Sequence, residues 1–395
     1  MATLFLMIIY LTFISLGLPD ALLGVGWPEM YSELHVPQSF AGVVSITISL
    51  GTIASSFFSG KFIRRFGTGK LTAISVLSTA VALLGFYFAP SFLWVMLAAI
   101  PLGLGAGAVD AGLNDYVARH YQAHHMNWLH SFWGVGALTS PLIMGQVLAH
   151  GSSWRVGYLI VAIIQFLLVA ILFLTLPMWR SREMRPLKVT PKTTEPDMKL
   201  VQLLQLKKVR LALYAFFLYI GVEATMGLWT SSYLISVKGI ASDKAAIGVS
   251  IFFGFIMFGR LLSGFMSMML SNRQLIQVGQ LLILLGSVFV WLSASYAFLL
   301  FGISLIGFGC APIYPAMLHE TPQRFGQKIA QEIMGVQMAF SYTGSVVLPP
   351  LFGFLVPIVG MRRLPFFLLF YGLMMWLASE RLVKKIDQEK IRKKD

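Results

Sequence analysis

Twelve apolar stretches, each near the ~20 residues that a helix needs to cross a bilayer, leave this chain few folds to choose from. They run at 3–27, 39–62, 70–90, 92–117, 126–149, 155–177, 209–235, 245–269, 274–294, 296–318, 330–357 and 363–383. They are too long for the tilted strands of a membrane barrel, which need about 9–11 residues each. Only 12% of the 395 residues are charged, against about 25% in a soluble domain. The sequence therefore predicts an all-α membrane protein with twelve transmembrane helices, resident in the lipid bilayer.

The charges that remain are arranged by side. With both termini placed inside, the inside loops and tail carry 24 of the 30 lysines and arginines. The outside loops carry five, Arg155, Lys238, Lys244, Arg362 and Arg363, and Arg260 falls within a helix. That asymmetry orients the chain with cytoplasmic termini in a bacterial-type inner membrane. It also accounts for the formal charge of +14, so no nucleic-acid partner is expected. The first stretch has no basic leader and ends in Pro28-Glu29, so it reads as a retained helix rather than a cleaved signal. The single cysteine, Cys310, allows no internal disulfide.

One long polar segment, Pro177 to Lys208, holds Pro186, Pro191, Pro196 and many charges. It divides the chain into an N-terminal six-helix bundle (1–177), a cytoplasmic linker (178–208) and a C-terminal six-helix bundle with a basic tail (209–395). The run Met198 to Leu206 within the linker is amphipathic. The halves repeat. Phe132, Gly136, Pro141 and Gly145 in the fifth stretch match Phe340, Gly344, Pro349 and Gly353 in the eleventh, all 208 residues apart. Gly103 and Gly105 match Gly307 and Gly309, and Ser59-Gly60 matches Ser263-Gly264. Asp20 and Gly24 match Glu223 and Gly227 at 203. Two parallel six-helix halves imply a central site at the midplane, with Asp20 and Glu223 facing each other across it.

Charged residues inside a membrane are costly and mark substrate or ion paths. Asp20 lies in LGLPDALLGVGWPE, among glycines and prolines that membrane helices tolerate where the freed backbone finds partners or lines a cavity. Asp110 and Asn114, four apart, share a helix face, as do Asn127 and His130, three apart. Asp110 and His130 are each ten residues from His120, so an antiparallel hairpin would set them at one depth as an Asp–His pair. Trp27, Trp133, Trp229 and Tyr233 accompany these acids. Aromatic faces beside carboxylates and amides suit a sugar, whereas an interfacial aromatic belt is the alternative, above all for Trp27. Arg260, in GRLLSG, reads as helix-end packing with Glu332 as a partner. Gln165 and Gln337 read as interhelical hydrogen-bonding residues.

With these residues in view, the chain resembles the major facilitator superfamily over nearly its whole length. GKFIRRFGTGK, Gly60 to Lys70, looks like the family's inside-loop signature, with Arg64 where the family has an acid. A similar basic substitution occurs in the sugar-permease branch that contains fucose permease. Asp20 late in the first helix, AVDAGLNDYV at Ala108 to Val117, and Asn127 followed by FWGVGA also resemble that branch. His130 stands where the branch can have Gln, and Asp115 where it can have Pro. The resemblance implies sugar binding and proton coupling for Asp20 and Asp110.

The expected function is secondary active transport, a proton-coupled symport of a sugar or similar small polar solute, by a monomer. Asp20, Asn114, Asn127, Trp133, Glu223 and Trp229 are the expected substrate contacts. Asp110, His130 and Glu223 are the expected proton-coupling groups. No cofactor, metal or catalytic residue is expected, and the phosphate-loop pattern GxxxxGK[ST] is absent. Two other functions remain open: a proton-driven exporter of amphipathic compounds, and a non-transporting ligand-binding or lipid-handling protein on the same fold.

Overall fold

A computed structural model describes residues 2–121, 123–183, 200–293 and 295–392. The side chains of Asn127 and Glu332 lie outside the described residues. Every regular element among those described is helical, as a chain in lipid requires when backbone groups must be satisfied within their own segment. Twelve helices are long and apolar enough to span: Phe5–Glu33, Phe40–Phe66, Thr68–Tyr87, Phe92–Val117, Trp128–Ala149, Trp154–Leu174, Lys207–Ser236, Ser242–Met266, Asn272–Leu292, Tyr296–Phe325, Ile333–Val359 and Met361–Gln388. They are called the first to twelfth spans below. Among the described residues between the sixth and seventh lie two short helices, Leu176–Glu183 and Leu200–Gln205. The second falls within the expected amphipathic run, of which Met198 is outside the described residues.

The first span is broken into Ala2–Asp20 and Leu22–Glu33. Pro19 has no N–H to give the carbonyl of Ser15, four residues back. That carbonyl is taken instead by Gln165 Nε2 of the sixth span at 2.8 Å, while Gln165 Oε1 accepts the Thr79 hydroxyl of the third span at 2.6 Å. One buried amide thus repairs the proline break and ties three spans together. Asp20 sits at the break.

The repeat seen in the sequence reappears as contacts. A Cβ on Gly136 would lie 2.1 Å from the Ile14 carbonyl oxygen, and one on Gly344 would lie 2.6 Å from that of Phe217. Gly103 meets the Ile48 carbonyl at 2.0 Å and Gly307 that of Phe252 at 2.4 Å. Gly105 meets Ser75 and Gly309 meets Gly279, both at 2.5 Å. In each half the first and fifth helices, the second and fourth, and the third and fourth touch backbone to backbone at equivalent positions. Only glycine permits such approach. The result is two pseudo-symmetric six-helix bundles.

The halves meet along the first, second and fifth spans on one side and the seventh, eleventh and eighth on the other. Gly24 approaches the Gly227 carbonyl oxygen at 2.2 Å, Gly42 approaches Pro350 Cα at 2.8 Å, and Gly145 approaches Ala246 Cβ at 2.7 Å, all measured from a Cβ built on the glycine. These contacts lie toward the loops at 34–39, 150–153, 237–241 and 360. On that face the Ser242 hydroxyl also donates to Glu29 at 3.0 Å. Asp20, midway along the bundle, is nevertheless exposed. The central cavity is therefore shut on this face and reached from the other.

The structure corrects two expectations. The fourth span packs against the second and third and the fifth against the first and eighth, so the fourth and fifth hardly touch. Neighbours in sequence are not neighbours in space here, and the Asp110–His130 pair does not form. Trp27 is not an interfacial belt residue either. It is fully buried, and its indole N–H donates to the Gln38 carbonyl at 2.7 Å.

Candidate functional site

The site follows from how close the first and fifth spans come. A Cβ on Gly17 would lie 2.1 Å from the Trp133 carbonyl oxygen, and Gly136 faces Ile14 in the same way. This contact sets Asp20, one turn beyond Gly17, against the Trp133 side chain, whose Nε1–H donates to Asp20 Oδ2 at 2.7 Å. The indole also faces the other half. Its ring meets Phe253 of the eighth span edge-on at 6.0 Å between centroids, and the Arg260 guanidinium lies 5.4 Å from it. A cation over an indole is worth about 0.5–2 kcal/mol.

Arg260 in turn stands 3.5 Å from Glu223 of the seventh span, with the two side chains 15% and 14% exposed. Glu223 also accepts a hydrogen bond from Tyr219, one turn back on its own helix. The expected confrontation of Asp20 and Glu223 is therefore mediated. Each acid has its own donor, and Trp133 and Arg260 fill the space between them. Arg260 is not a helix-end packing residue. A guanidinium that far into a bundle is held by an acid and an aromatic face, which removes much of its cost.

Asp110, on the fourth span, accepts from Asn114 Nδ2 at 2.8 Å and from the Tyr342 hydroxyl of the eleventh span at 3.1 Å. The second bond crosses between halves. Asn114 also gives its amide to the Asp110 backbone carbonyl at 2.9 Å, so in this conformation it orients the acid. Asp110 and Glu223 both lie close enough to Asp20 to act on it electrostatically. His130 packs its ring edge-on against Phe13 at 5.8 Å and feels the charge of Arg260 across the cavity.

Of the residues singled out from sequence, Asp20, Trp133, Glu223, Asp110 and Asn114 are brought to the middle of the bundle. Trp229 is not presented to the cavity. It is fully buried, donates its N–H to the Pro349 carbonyl at 2.8 Å and rests against Phe352 and Gly353, which makes it a tie between the seventh and eleventh spans. Asn127 is outside the described side chains, as is Glu332, the partner expected for Arg260. Sequence reading missed Arg260, Tyr342 and Tyr219 as site residues. Tyr219 carried a signal, since it is four residues before Glu223 and shares its face.

The family model of the Major Facilitator Superfamily matches residues 9–349. Among known proteins, the chain is 24% identical over 352 residues to the glucose/mannose transporter GlcP of Bacillus subtilis (strain 168), covering 87% of this chain and 86% of the relative. It is 27% identical over 266 residues to the cis,cis-muconate transport protein of Acinetobacter baylyi (strain ATCC 33305 / BD413 / ADP1), covering 64% of this chain and 63% of the relative. Among solved structures, an inward-facing, unoccupied bacterial homologue of the human lysosomal transporter Spinster superposes with a TM-score of 0.74 at 14% identity. It covers 96% of this chain and 97% of that one, a likeness of fold alone. Twelve spans in two repeated bundles and a family match over most of the length identify the chain as an integral membrane transporter, not an enzyme, that belongs to the Major Facilitator Superfamily.

Proposed function

We propose that this chain carries a sugar or similar small polar solute across the membrane together with a proton, by alternating access to a site between its halves. Residues 1–177 and 209–395 are the two moving bodies and 178–208 is the linker. The protein works as a monomer in a bacterial-type inner membrane with both termini cytoplasmic. In that orientation the closed face is the outer one, and the conformation described above is inward-facing.

The observation that carries this reading is the polar chain across the cavity, Asp20 to Trp133 to Arg260 to Glu223, with Asp110 bonded across the halves to Tyr342. Charged groups at that depth are costly, and membrane proteins keep them chiefly along substrate and ion paths. A bond that joins the halves through an acid can respond to a proton and to a change of conformation at once. Asp110 is the proton carrier, with Asn114 orienting it. Asp20 and Trp133 contact the solute, the indole offering a face for the C–H side of a sugar ring, and Glu223 contributes to both tasks. His130 completes the site from the fifth span. The similarity to a glucose/mannose transporter supports a sugar as the cargo.

The test is flux in proteoliposomes with a panel of hexoses, with and without an inward proton gradient. Uptake above the equilibrium level driven by the gradient, with alkalinisation of the outer medium, is expected. Asp110→Asn should abolish gradient-driven accumulation and leave exchange of labelled for unlabelled solute intact. Undiminished accumulation in that variant would remove Asp110 from the coupling role. Ligand binding without flux would replace transport by a receptor function.

A further inference from the structure

We infer that Arg260 is a binding site for the carboxylate of a monoanionic, hydroxylated solute, a sugar acid of uronate or aldonate type, and that Glu223 holds the place of that carboxylate when the site is empty. The inference rests on the transport reading above and specifies the cargo.

Arginine has five N–H donors in a rigid fork that suits a carboxylate held by two parallel bonds. Among the described residues, Glu223 meets it through one oxygen at 3.5 Å, beyond normal hydrogen-bond length, and the Tyr219 hydroxyl engages one further N–H, which leaves the fork without a two-oxygen partner. That oxygen, Oε2, is the one that also accepts from Tyr219. A structural ion pair inside a membrane bundle is retained only when geometry and further hydrogen bonds offset the loss of water. This pair has the charge match without the fork geometry. The ring of Trp133 lies 5.4 Å from the guanidinium carbon, which supports the cation without taking up an N–H. Nearby, the Tyr314 hydroxyl is directed at the thioether of Met338 at 3.0 Å, a weak acceptor. A carboxylate bound at Arg260 would offer that hydroxyl a stronger one.

The charge of the site selects the class. Arg260 is held by one acid, Glu223, so one negative group on the solute that takes the place of that acid finds one cationic partner. A phosphate dianion would bring a second charge with none to meet it. A neutral hexose would leave the guanidinium as poorly partnered as it is now. The acceptors on Asp20 and the indole face of Trp133 suit hydroxyls and a ring C–H face, so the ligand combines a carboxylate at one end with a polyhydroxylated body. On arrival its carboxylate replaces that of Glu223 on the guanidinium, which makes Glu223 a competitor of the cargo.

The experiment measures equilibrium binding of radiolabelled D-glucuronate, D-gluconate and D-glucose to purified protein, alongside thermal unfolding of each variant. Both acids should bind the native protein more tightly than D-glucose. Arg260→Gln should weaken both by about ten- to a hundredfold, as expected for a charge-assisted hydrogen-bonded group, and change D-glucose binding less. Arg260→Lys should fall between, because an ammonium keeps the charge and loses the fork. Glu223→Gln should tighten the acids several-fold by removing the competitor, and this variant carries the test if Arg260→Gln does not fold. Failure of both acids to bind, equal loss of acids and D-glucose in Arg260→Gln, or weaker acid binding in Glu223→Gln would overturn the inference. Flux of the same three probes in proteoliposomes separates the two readings. D-glucose flux without acid binding leaves transport standing and removes the carboxylate site, whereas acid binding without flux does the reverse.

Discussion

The closed face depends on a contact that admits no side chain, so adding one methyl group should open it. A Cβ on Gly24 would lie 2.2 Å from the Gly227 carbonyl oxygen and 3.1 Å from the Leu228 Cα and carbonyl oxygen, all backbone atoms of the opposite half. Ordinary contact distances exceed 3.4 Å, so Gly24→Ala forces the first and seventh spans apart by more than an ångström. Overpacking of this kind costs about 1–3 kcal/mol. When the face opens the contact is gone and so is the cost. The closed-to-open ratio should therefore fall by about 5- to 150-fold. Ser231 reports on it: it lies one turn beyond Gly227, is fully buried, and its hydroxyl has no partner. The native Cys310 is buried, so in a Ser231→Cys background an impermeant maleimide added to the closed face should label position 231 in proportion to the open population. Gly24→Ala should accelerate labelling by that ratio. Gly264→Ala, where a Cβ meets nothing within 4 Å, should leave it unchanged. Equal labelling with and without Gly24→Ala, in proteins of equal thermal stability, would refute the argument that this glycine contact sets the gate.

Two further substitutions separate structural from functional polar groups. Gln165→Leu strands the Ser15 carbonyl that Pro19 leaves free, while the Thr79 hydroxyl keeps the Val76 carbonyl as its acceptor; it should cost about 1–3 kcal/mol for the one group left unpaired, seen as a lower unfolding temperature in detergent. Trp229→Phe removes the N–H on the Pro349 carbonyl and the ring atoms that pack beside Gly353, so it should lower stability by about 1–3 kcal/mol with solute affinity unchanged; a loss of affinity beyond that fall in stability would return Trp229 to the binding site.

Much of the architecture was legible because membrane helices leave few options and because the glycine spacing repeats. Gly103 with Ile48 and Gly307 with Phe252 are the same contact 204 residues apart, and the glycine half of each was visible as a sequence match. Trp229 and Trp27 were not legible as core residues, since nothing in a sequence separates an indole at a lipid interface from one bonded to a carbonyl in a neighbouring helix. The Asp110–His130 pair failed for a definite reason. It assumed that the fourth and fifth spans pack side by side, whereas the fifth is drawn away to the first by Gly17 and Gly136 and to the eighth by Gly134 and Gly145. That same displacement creates the site. By seating the fifth span between the first and the eighth, it gives Trp133 an acid of its own half on its edge and the arginine of the other half on its face.

Arg260 is the instructive omission. Read by itself in GRLLSG, it looked like a residue near a helix end, because a sequence gives its depth only relative to its own span. The physical constraint that could have corrected this is compensation: a guanidinium inside a bundle must find a carboxylate on an adjoining span. Glu223 and Asp20 were the acids already placed in the middle, and the repeat put Glu223 in the same half as Arg260. Once the pair is made, the geometry of the site changes meaning. Two acids facing each other across an empty cavity would make a cation site. Two acids with an arginine and an indole between them, and the arginine met by a single oxygen of its partner, make a site where the carboxylate proposed for the cargo would exchange with that of Glu223.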